Sequence, residues 1–242
     1  MAAETIAQSL DDLASALQTD RLIKLHIGNQ ERPYNIQQLF LVNCSEYFAK
    51  ALRDNQFAEA RSGTFRLLED REDTWKVLLY WMTHRELPGD YIKNDLLLAV
   101  RCWILGDKYD IKLFQDDVML MMISYGAETS SDPTPEMVRE VFYNTPPGSK
   151  LRDFITEESV YLFEPGVRSD RLGDAVLRKN IGELDETGFL PLYTEKKREY
   201  NAQGGDPDWC DRFRDGCWKR YLRGPAERYQ GWALDTADCM RE

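Results

Sequence analysis

Two pairs of adjacent carboxylates come closest, in residue type and spacing, to a catalytic arrangement. They are Asp116 with Asp117 and Glu157 with Glu158. Paired carboxylates can act as general acid and general base when both reach the same substrate. Adjacent residues on a helix point in different directions, so neither pair is expected to converge on one substrate. The sequence therefore predicts no acid–base site at either pair.

The chain has two histidines, His26 and His84. The pattern places His26 in a strand, where a structural imidazole is the default interpretation. It places His84 at the end of a helix, where a charged ring would suit the helix dipole. Neither has a Cys or His at metal-ligand spacing, so no metal site is predicted. The chain also lacks a Gly-rich phosphate loop, a Gly-x-Ser-x-Gly elbow and a His-Glu-x-x-His motif. We expect no catalytic residue and no cofactor. An enzyme in the C-terminal half that carries none of these motifs is the alternative.

The five cysteines are odd in number and scattered along the chain, at Cys44, Cys102, Cys210, Cys217 and Cys239. This usage favours reduced thiols in the cytosol or nucleus over a disulfide framework. The last helix of the sequence pattern can bring two of them, Cys210 and Cys217, to one face. An apolar stripe is the preferred interpretation of that face, ahead of redox chemistry.

The formal net charge is −11 and the sequence pI is about 4.8. Nucleic-acid binding is disfavoured, because phosphate contacts need clustered Lys and Arg. A membrane partner is also disfavoured, because no run approaches the roughly 20 apolar residues of a spanning helix. The N-terminus carries early acids and no apolar core of a signal sequence. We expect a protein of the cytoplasm, the nucleus or both.

Hydrophobic periodicity divides the chain into elements of both kinds. Residues 1–18 form a predicted amphipathic helix, with Ile6, Leu10, Leu13 and Leu17 in one stripe. Strands are predicted at 22–27, 32–36 and 64–68, the first two joined by a turn at 28–31. Two short helices lie between them, within 37–54, and Ser45 is placed to cap the second. From residue 69 onward the period is helical, with Asp70 or Asp73 available near the first helix start. The predicted class is α+β.

The second half of the chain is predicted to be helical and then irregular. A helix ends at Gly126, and the turn-rich stretch 128–135 follows. Helices are predicted at 136–143 and 151–163. Residues 164–207 are polar and interrupted by Pro and Gly, so part of them is predicted to be disordered. A final helix is predicted near 207–222. The predicted segments are a helix at 1–18, a domain at 19–126, a helical extension at 127–163 and a partly irregular region at 164–242.

Several motifs in residues 19–125 occur in the order found in one known family. They are Asp20-Arg-Leu-Ile-Lys-Leu, Tyr34-Asn-Ile, Leu41 with Ser45-Glu-Tyr-Phe, Phe57-Ala-Glu59, Trp75 to Trp81 and Leu105-Gly-Asp-Lys-Tyr109. Together they resemble the BTB/POZ domain. The stretch Tyr143-Asn-Thr-Pro-Pro-Gly-Ser-Lys-Leu-Arg152 resembles the branch found in filamentous fungi. The resemblance implies a small three-stranded sheet flanked by a cluster of helices, with a helical C-terminal extension.

The resemblance also implies which residues contact partners. In relatives that recruit a cullin scaffold, the apolar-x-Glu motif meets the cullin, which makes Phe57 and Glu59 the candidate contact. The alternative is that Phe57 packs on its own domain and Glu59 is solvated. Asp20 corresponds to the pocket residue of the repressor branch. Since Gln37-Gln38 stand where that branch has a basic residue, corepressor binding through this pocket is not expected.

BTB domains often pair through N-terminal elements, so Ile6, Leu10, Leu13 and Leu17 are a candidate dimer seam. The alternative is a helix folded back on its own domain, because four apolar positions fix a register weakly.

Two function hypotheses follow from the resemblance. The first is a non-enzymatic adaptor or scaffold, in its narrower form one that links a cullin-type ubiquitin ligase to a target held by residues 126–242. The second is a homo- or hetero-oligomerisation protein with a structural or regulatory role and no link to ubiquitin. Both predict protein partners alone.

Overall fold

The computed structural model describes residues 14–15, 17–53, 57–129, 133–163, 184, 186–205 and 214–229. Its packing divides the chain into two compact units, Met1–Glu86 with Gly106–Ile111, and Leu87–Leu105 with Lys112–Glu242. The four segments drawn from the sequence remain a prediction. None of the described helices is both long and apolar enough to cross a membrane.

The first unit contains a small mixed sheet. Its strands are β1 (Leu22–Ile27), β2 (Tyr34–Gln37) and β3 (Thr64–Leu67), in the spatial order β2-β1-β3. β1 pairs with β2 antiparallel and with β3 parallel. The predicted α+β class with three strands is confirmed. Alternate residues of β1 are buried, as the period of two in a strand requires.

The sheet is accompanied by helices α1 (Gln38–Cys44), α2 (Glu46–Ala51), α3 (Ala58–Ser62) and α4 (Glu72–His84), and residues 14–15 and 17–19 are helical as well. The predicted cap is confirmed, because the Ser45 side chain accepts the Phe48 N–H at 3.1 Å. Ser45 Oγ also donates to the Tyr109 carbonyl at 2.6 Å. One serine therefore both begins α2 and ties it to a residue 64 positions later.

Four aromatic rings form the centre of the first unit. Phe48 stacks on Tyr109 with ring centroids 5.2 Å apart, and its edge meets Phe65 at 5.3 Å and Trp75 at 6.3 Å. All four side chains are buried. Each such ring buries a large apolar area, and the edge contacts add to that term.

Of the two acids expected near the start of α4, Asp73 bonds to the helix backbone and Asp70 does not. Arg71 occupies the N-cap and forms no side-chain cap bond, while Asp73 accepts the Thr74 N–H at 2.8 Å. Asp70 instead points into the core. It accepts the Trp75 indole N–H at 2.8 Å, the Tyr109 hydroxyl at 2.5 Å and the Lys108 ammonium at 2.6 Å. A buried carboxylate needs hydrogen-bond donors, and the folded chain brings these three donors to Asp70.

The second unit is helical in its described residues. Its helices are α5 (Gly89–Lys93), α6 (Leu96–Lys108), α7 (Lys112–Thr129), α8 (Pro135–Asn144), α9 (Lys150–Phe163) and α10 (Phe189–Ala202), followed by 3₁₀ helices at Arg214–Tyr221 and Ala226–Tyr229. The last residues of α6, Gly106 to Lys108, belong to the first unit. The predicted helices at 136–143 and 151–163 are confirmed.

Three sequence expectations about this unit need correction. α7 continues past Gly126, because a mid-helix glycine costs only about 1 kcal/mol and α7 is largely buried. α10 lies within the stretch predicted to be irregular. Pro191 is its third residue, where the missing N–H would have had no intrahelical partner. The end of the predicted helix at 207–222 is a 3₁₀ helix, and residues 207–213 lie outside the described part.

One buried carboxylate connects three elements of the second unit. Glu157 on α9 is fully buried. It accepts Lys196 Nζ of α10 at 2.6 Å, Arg220 Nη2 at 2.8 Å and the Tyr221 hydroxyl. Two cations on one carboxylate supply the charge compensation that a buried carboxylate requires.

A second carboxylate, Asp116 on α7, holds the chain beyond the first 3₁₀ helix. Its side chain accepts the backbone N–H groups of Arg223 and Gly224, the latter at 2.8 Å. A Cβ at Gly224 would come within 2.9 Å of the Asp116 carboxylate, so the close approach requires glycine. Burial raises the pKa of Asp116, while the two N–H groups oppose that shift.

Candidate protein-interaction surface

Phe57 and Glu59 both lie at the surface, at the start of α3. Phe57 occupies the N-cap position and leaves 54% of its area exposed. Glu59 is exposed in the first helical turn, and its carboxylate forms no ion pair with a described residue. An exposed aromatic beside an unpaired carboxylate is the arrangement of an interface anchor with a polar rim. Both the contact and the alternative, in which Phe57 packs on its own domain and Glu59 is solvated, stay predictions.

Arg21 fixes the other end of α3. Its guanidinium donates to the carbonyl oxygens of Ala60 and, at 2.9 Å, Arg61. These carbonyls are among those left unpaired at a helix C-terminus, where a cation is also favoured. Gly63 follows in the left-handed conformation at φ +66°, and a Cβ there would lie 2.5 Å from Arg21 Nη2. The short helix that carries Phe57 and Glu59 is thus anchored to the residue before β1.

We expect Arg21→Ala to increase amide hydrogen exchange of residues 58–63 about tenfold, because two hydrogen bonds at the end of α3 are lost. Arg32→Ala removes an exposed cation with no described partner, and should leave this exchange unchanged. Hydrogen exchange with mass-spectrometric detection measures both variants. Equal exchange in wild type and Arg21→Ala would show that α3 is held by other contacts.

The other residues of the recognised motifs are mostly buried and structural. Ser45, Phe48, Trp75 and Tyr109 all belong to the core of the first unit. Burial and the Asp70 carboxylate raise the pKa of Tyr109, so its hydroxyl remains a donor. Tyr47 differs, because it is 43% exposed while its ring edge meets Phe48 and Tyr109. Tyr47 is not among the predicted contact residues, although its position next to the core residue Phe48 on α2 is a signal of exposure.

Asp20 caps a helix. Its Oδ2 accepts the Leu39 N–H at 2.8 Å, in the first turn of α1. The Asp20 side chain is half-buried. Its described hydrogen-bond partner is a backbone N–H group, as for a residue that caps a helix. The Asp20 carboxylate thus helps to hold the start of α1 beside the residues that precede β1.

Most of the candidate dimer seam lies outside the described residues, namely Ile6, Leu10 and Leu13. Leu17 is described as helical and half-buried. Its carbonyl oxygen accepts the Gln37 side-chain N–H at 3.0 Å, which places the end of this helix at β2. The seam stays a prediction.

The two histidines lie on different elements, and the two carboxylates of the Asp116–Asp117 pair have different partners. His84 stacks on Tyr80 with centroids 4.1 Å apart, and His26 is half-buried in β1. Asp116 is directed to Arg223 and Gly224, whereas Asp117 accepts the Tyr229 hydroxyl at 2.8 Å. In the part of the chain that is described, no group of three or more His, Cys, Asp or Glu could hold a metal ion.

The described cysteines are Cys44, Cys102 and Cys217, and none of the three is in a disulfide. Burial raises the pKa of the Cys44 thiol to about 11, which keeps it protonated and unreactive at neutral pH. Cys210, the other member of the predicted stripe, lies outside the described residues.

A groove of about 800 Å³ opens between the β1–β2 turn and the start of α4. Its charged side chains largely satisfy one another. Glu72 accepts from Gln30, from the Tyr34 hydroxyl at 3.2 Å and from Lys76 at 2.9 Å, and Arg71 pairs with Asp73 at 2.6 Å. Such internal pairing leaves few groups to orient a small ligand, so the exposed start of α3 is the stronger candidate.

Comparison with known proteins supplies no relative. The chain matches no protein-family model, no curated protein and no solved structure. The BTB/POZ resemblance therefore stays a prediction, and the functional argument depends on the surface itself.

Proposed function

We propose that this protein is a non-enzymatic protein–protein interaction module that acts as an adaptor or scaffold, with Phe57 and Glu59 as its contact. The observation that carries the proposal is the exposure of Phe57. The rings at positions 48, 75 and 109 are buried, whereas Phe57 leaves 54% of its area exposed; Tyr47 and Tyr143 are exposed as well, but neither stands beside an exposed acid in an apolar-x-Glu motif. An exposed phenyl ring on an anchored helix gains most by entering a partner's pocket.

The charge of the contact favours a partner with a basic rim. Glu59 is available for a charge-assisted hydrogen bond, and the chain carries a net charge of −11 that would steer a basic surface toward it. The BTB resemblance points to the N-terminal domain of a cullin as the partner. In that role, residues beyond the first unit would hold the target of a ubiquitin ligase.

Titration with the N-terminal domain of the BTB-class cullin tests this proposal. We expect wild type to bind and the Phe57→Ala, Glu59→Ala double variant to lose at least about 2 kcal/mol, or roughly thirtyfold in Kd, because truncating an interface anchor costs that much. Isothermal calorimetry measures both affinities.

The matched control is Asp90→Ala, Tyr91→Ala, which removes an exposed acid and an aromatic ring that is 57% exposed. This control should bind like wild type. Absence of binding by folded wild type at high micromolar concentration would reject the cullin contact and leave self-assembly as the working hypothesis. Equal losses in both double variants would reject Phe57 and Glu59 as the specific contact.

A further inference from the structure

Thr64 lies beside two cations on the outer face of the three-stranded sheet. It begins β3 and is paired with Lys24 of β1, while Arg66 follows two residues later on β3. Residues paired across two strands, and alternate residues of one strand, project from the same face of a sheet. The three side chains therefore share one face, and the buried alternate residues of β1 lie on the other.

The two cations have no counter-ion among the described residues. Lys24 and Arg66 are both exposed, and neither forms an ion pair there. Lys76 and Lys196, by contrast, each pair with a carboxylate. None of the three strands contains Asp or Glu, although the chain has 42 acidic residues. The outer face is thus basic in an acidic protein, and its charge is unmatched within the described chain.

The Thr64 hydroxyl has no structural task that the described residues show. The side chain is half-buried, and its oxygen forms no hydrogen bond with the described part of the chain. The hydroxyls of Thr74 and Thr83 in α4 instead donate to backbone carbonyls at 2.9 and 3.0 Å. The sheet order β2-β1-β3 places β3 at an edge, with one side open. A phosphate added to Thr64 would break no described hydrogen bond and would gain two cationic neighbours.

The sequence around Thr64 carries the arginines that basophilic serine/threonine kinases select. Arg61 stands three residues before Thr64, and Arg66 stands two residues after it. Carboxylates in the substrate cleft of such kinases bind arginines through charge-assisted hydrogen bonds. Ser62 is also exposed, but Glu59 stands three residues before it. The charge pattern therefore favours Thr64 over Ser62 as the acceptor.

We propose that Thr64 is a phosphorylation site for a basophilic serine/threonine kinase, and that Lys24 and Arg66 hold the phosphate. In the transfer, the hydroxyl oxygen attacks the γ-phosphorus of ATP and forms a new O–P bond. The bond from the γ-phosphorus to the bridging oxygen breaks, ADP leaves, and the hydroxyl proton passes to the general base of the kinase. The phosphate carries a charge of about −1.5 to −2 at neutral pH, which matches the two cations.

Both cations can reach one phosphate on Thr64. Adjacent strands lie about 4.8 Å apart, and alternate residues of a strand about 6.6 Å apart. Extended Lys and Arg side chains span these distances, and a guanidinium can bind a phosphate through two parallel hydrogen bonds. Because Lys24 is on β1 and Thr64 on β3, the phosphate links the two strands through their side chains. We therefore expect phosphorylation to make the opening of β3 less frequent.

Phosphorylation of the folded full-length chain tests the site. The protein is incubated with Mg-ATP and the catalytic domain of a protein kinase C, and tandem mass spectrometry locates the phosphate. We expect at least about tenfold more phosphate on Thr64 than on Ser62, because a hydrogen bond to a charged group, here Arg61, is worth that ratio. Thr64→Val should remove this phosphate.

A synthetic peptide of residues 58–70 is the control for recognition of the sequence by the kinase. A peptide that is phosphorylated while Thr64 of the folded protein stays unmodified would overturn the proposal, because the strand would then be closed to the enzyme. An unmodified peptide would overturn the kinase class, and phosphate on Ser62 in place of Thr64 would overturn the site.

Hydrogen exchange tests whether the two cations hold the phosphate. In phosphorylated wild type, the amides of residues 64–67 should exchange about threefold more slowly than in the unmodified protein, the scale of surface ion pairs. Lys24→Gln keeps the acceptor and its arginines, so it should be phosphorylated with a smaller slowing. Lys50→Gln removes a lysine of α2 whose side chain is 71% exposed, and should slow like wild type. Equal slowing in both variants would overturn the contact with Lys24.

Discussion

Glu157→Ala is expected to lower the free energy of unfolding by about 3–5 kcal/mol, the range measured when one partner of a buried ion pair is removed. The Glu157 carboxylate is fully buried, and Lys196 is only 12% exposed. Removing the anion leaves the Lys196 ammonium in a poorly solvated position, and Glu199, at 3.8 Å, is then its ion-pair partner among the described residues. Native proteins have only about 5–15 kcal/mol of stability, so the loss is a large fraction of the total.

Urea unfolding followed by tryptophan fluorescence measures this loss. Hydrogen exchange of residues 214–221 localises it, because Arg220 and Tyr221 both contact Glu157. Glu195→Ala removes an exposed carboxylate from α10 and serves as the control, with an expected change within about 0.5 kcal/mol. A loss below about 1 kcal/mol for Glu157→Ala would mean that the network contributes no more than an exposed ion pair.

Asp70→Ala is expected to destabilise the first unit by about 3 kcal/mol, because buried donors lose their acceptor. Trp75 Nε1–H and the Tyr109 hydroxyl both donate to Asp70, and both rings are buried. The lost ion pair with Lys108 adds less to the destabilisation, because this side chain is 48% exposed and water solvates its ammonium group once the carboxylate is removed. Asp70→Asn keeps one acceptor oxygen and should lose less than the alanine variant.

The control for Asp70 lies three residues away. Asp73 pairs with Arg71, and their side chains are 34% and 51% exposed. We expect Asp73→Asn to change stability by less than about 1 kcal/mol. Urea unfolding of the three variants gives the comparison. Equal effects of Asp70→Ala and Asp73→Asn would show that the hydrogen bonds from Trp75 and Tyr109 to Asp70 add no stability beyond that of an exposed acid near the start of α4.

The sequence by itself determined the local structure. The alternation from Leu22 to Ile27 made β1 a half-buried strand, and Ser45 marked the start of α2. These features depend on side chains within a few positions of one another, which is why periodicity and capping rules find them. The Pro and Gly residues of 164–207 predicted an irregular segment where α10 lies. Pro191 does not interrupt this helix, because a proline is tolerated in a first helical turn.

Only the tertiary structure decided which residues of the motif set face solvent. Phe48 and Phe57 are the same residue type, yet one is fully buried and the other is 54% exposed. Asp70, Arg21 and Glu157 found partners 39, 40 and 64 positions away, respectively. Sequence periodicity reports neighbours three or four residues apart and carries no information on such distances. The strands and the start of α2 could therefore be predicted from the sequence. Packing decided the hydrogen bonds of the buried Asp70 and Glu157, the attachment of α3 to Arg21 and the exposure of Phe57.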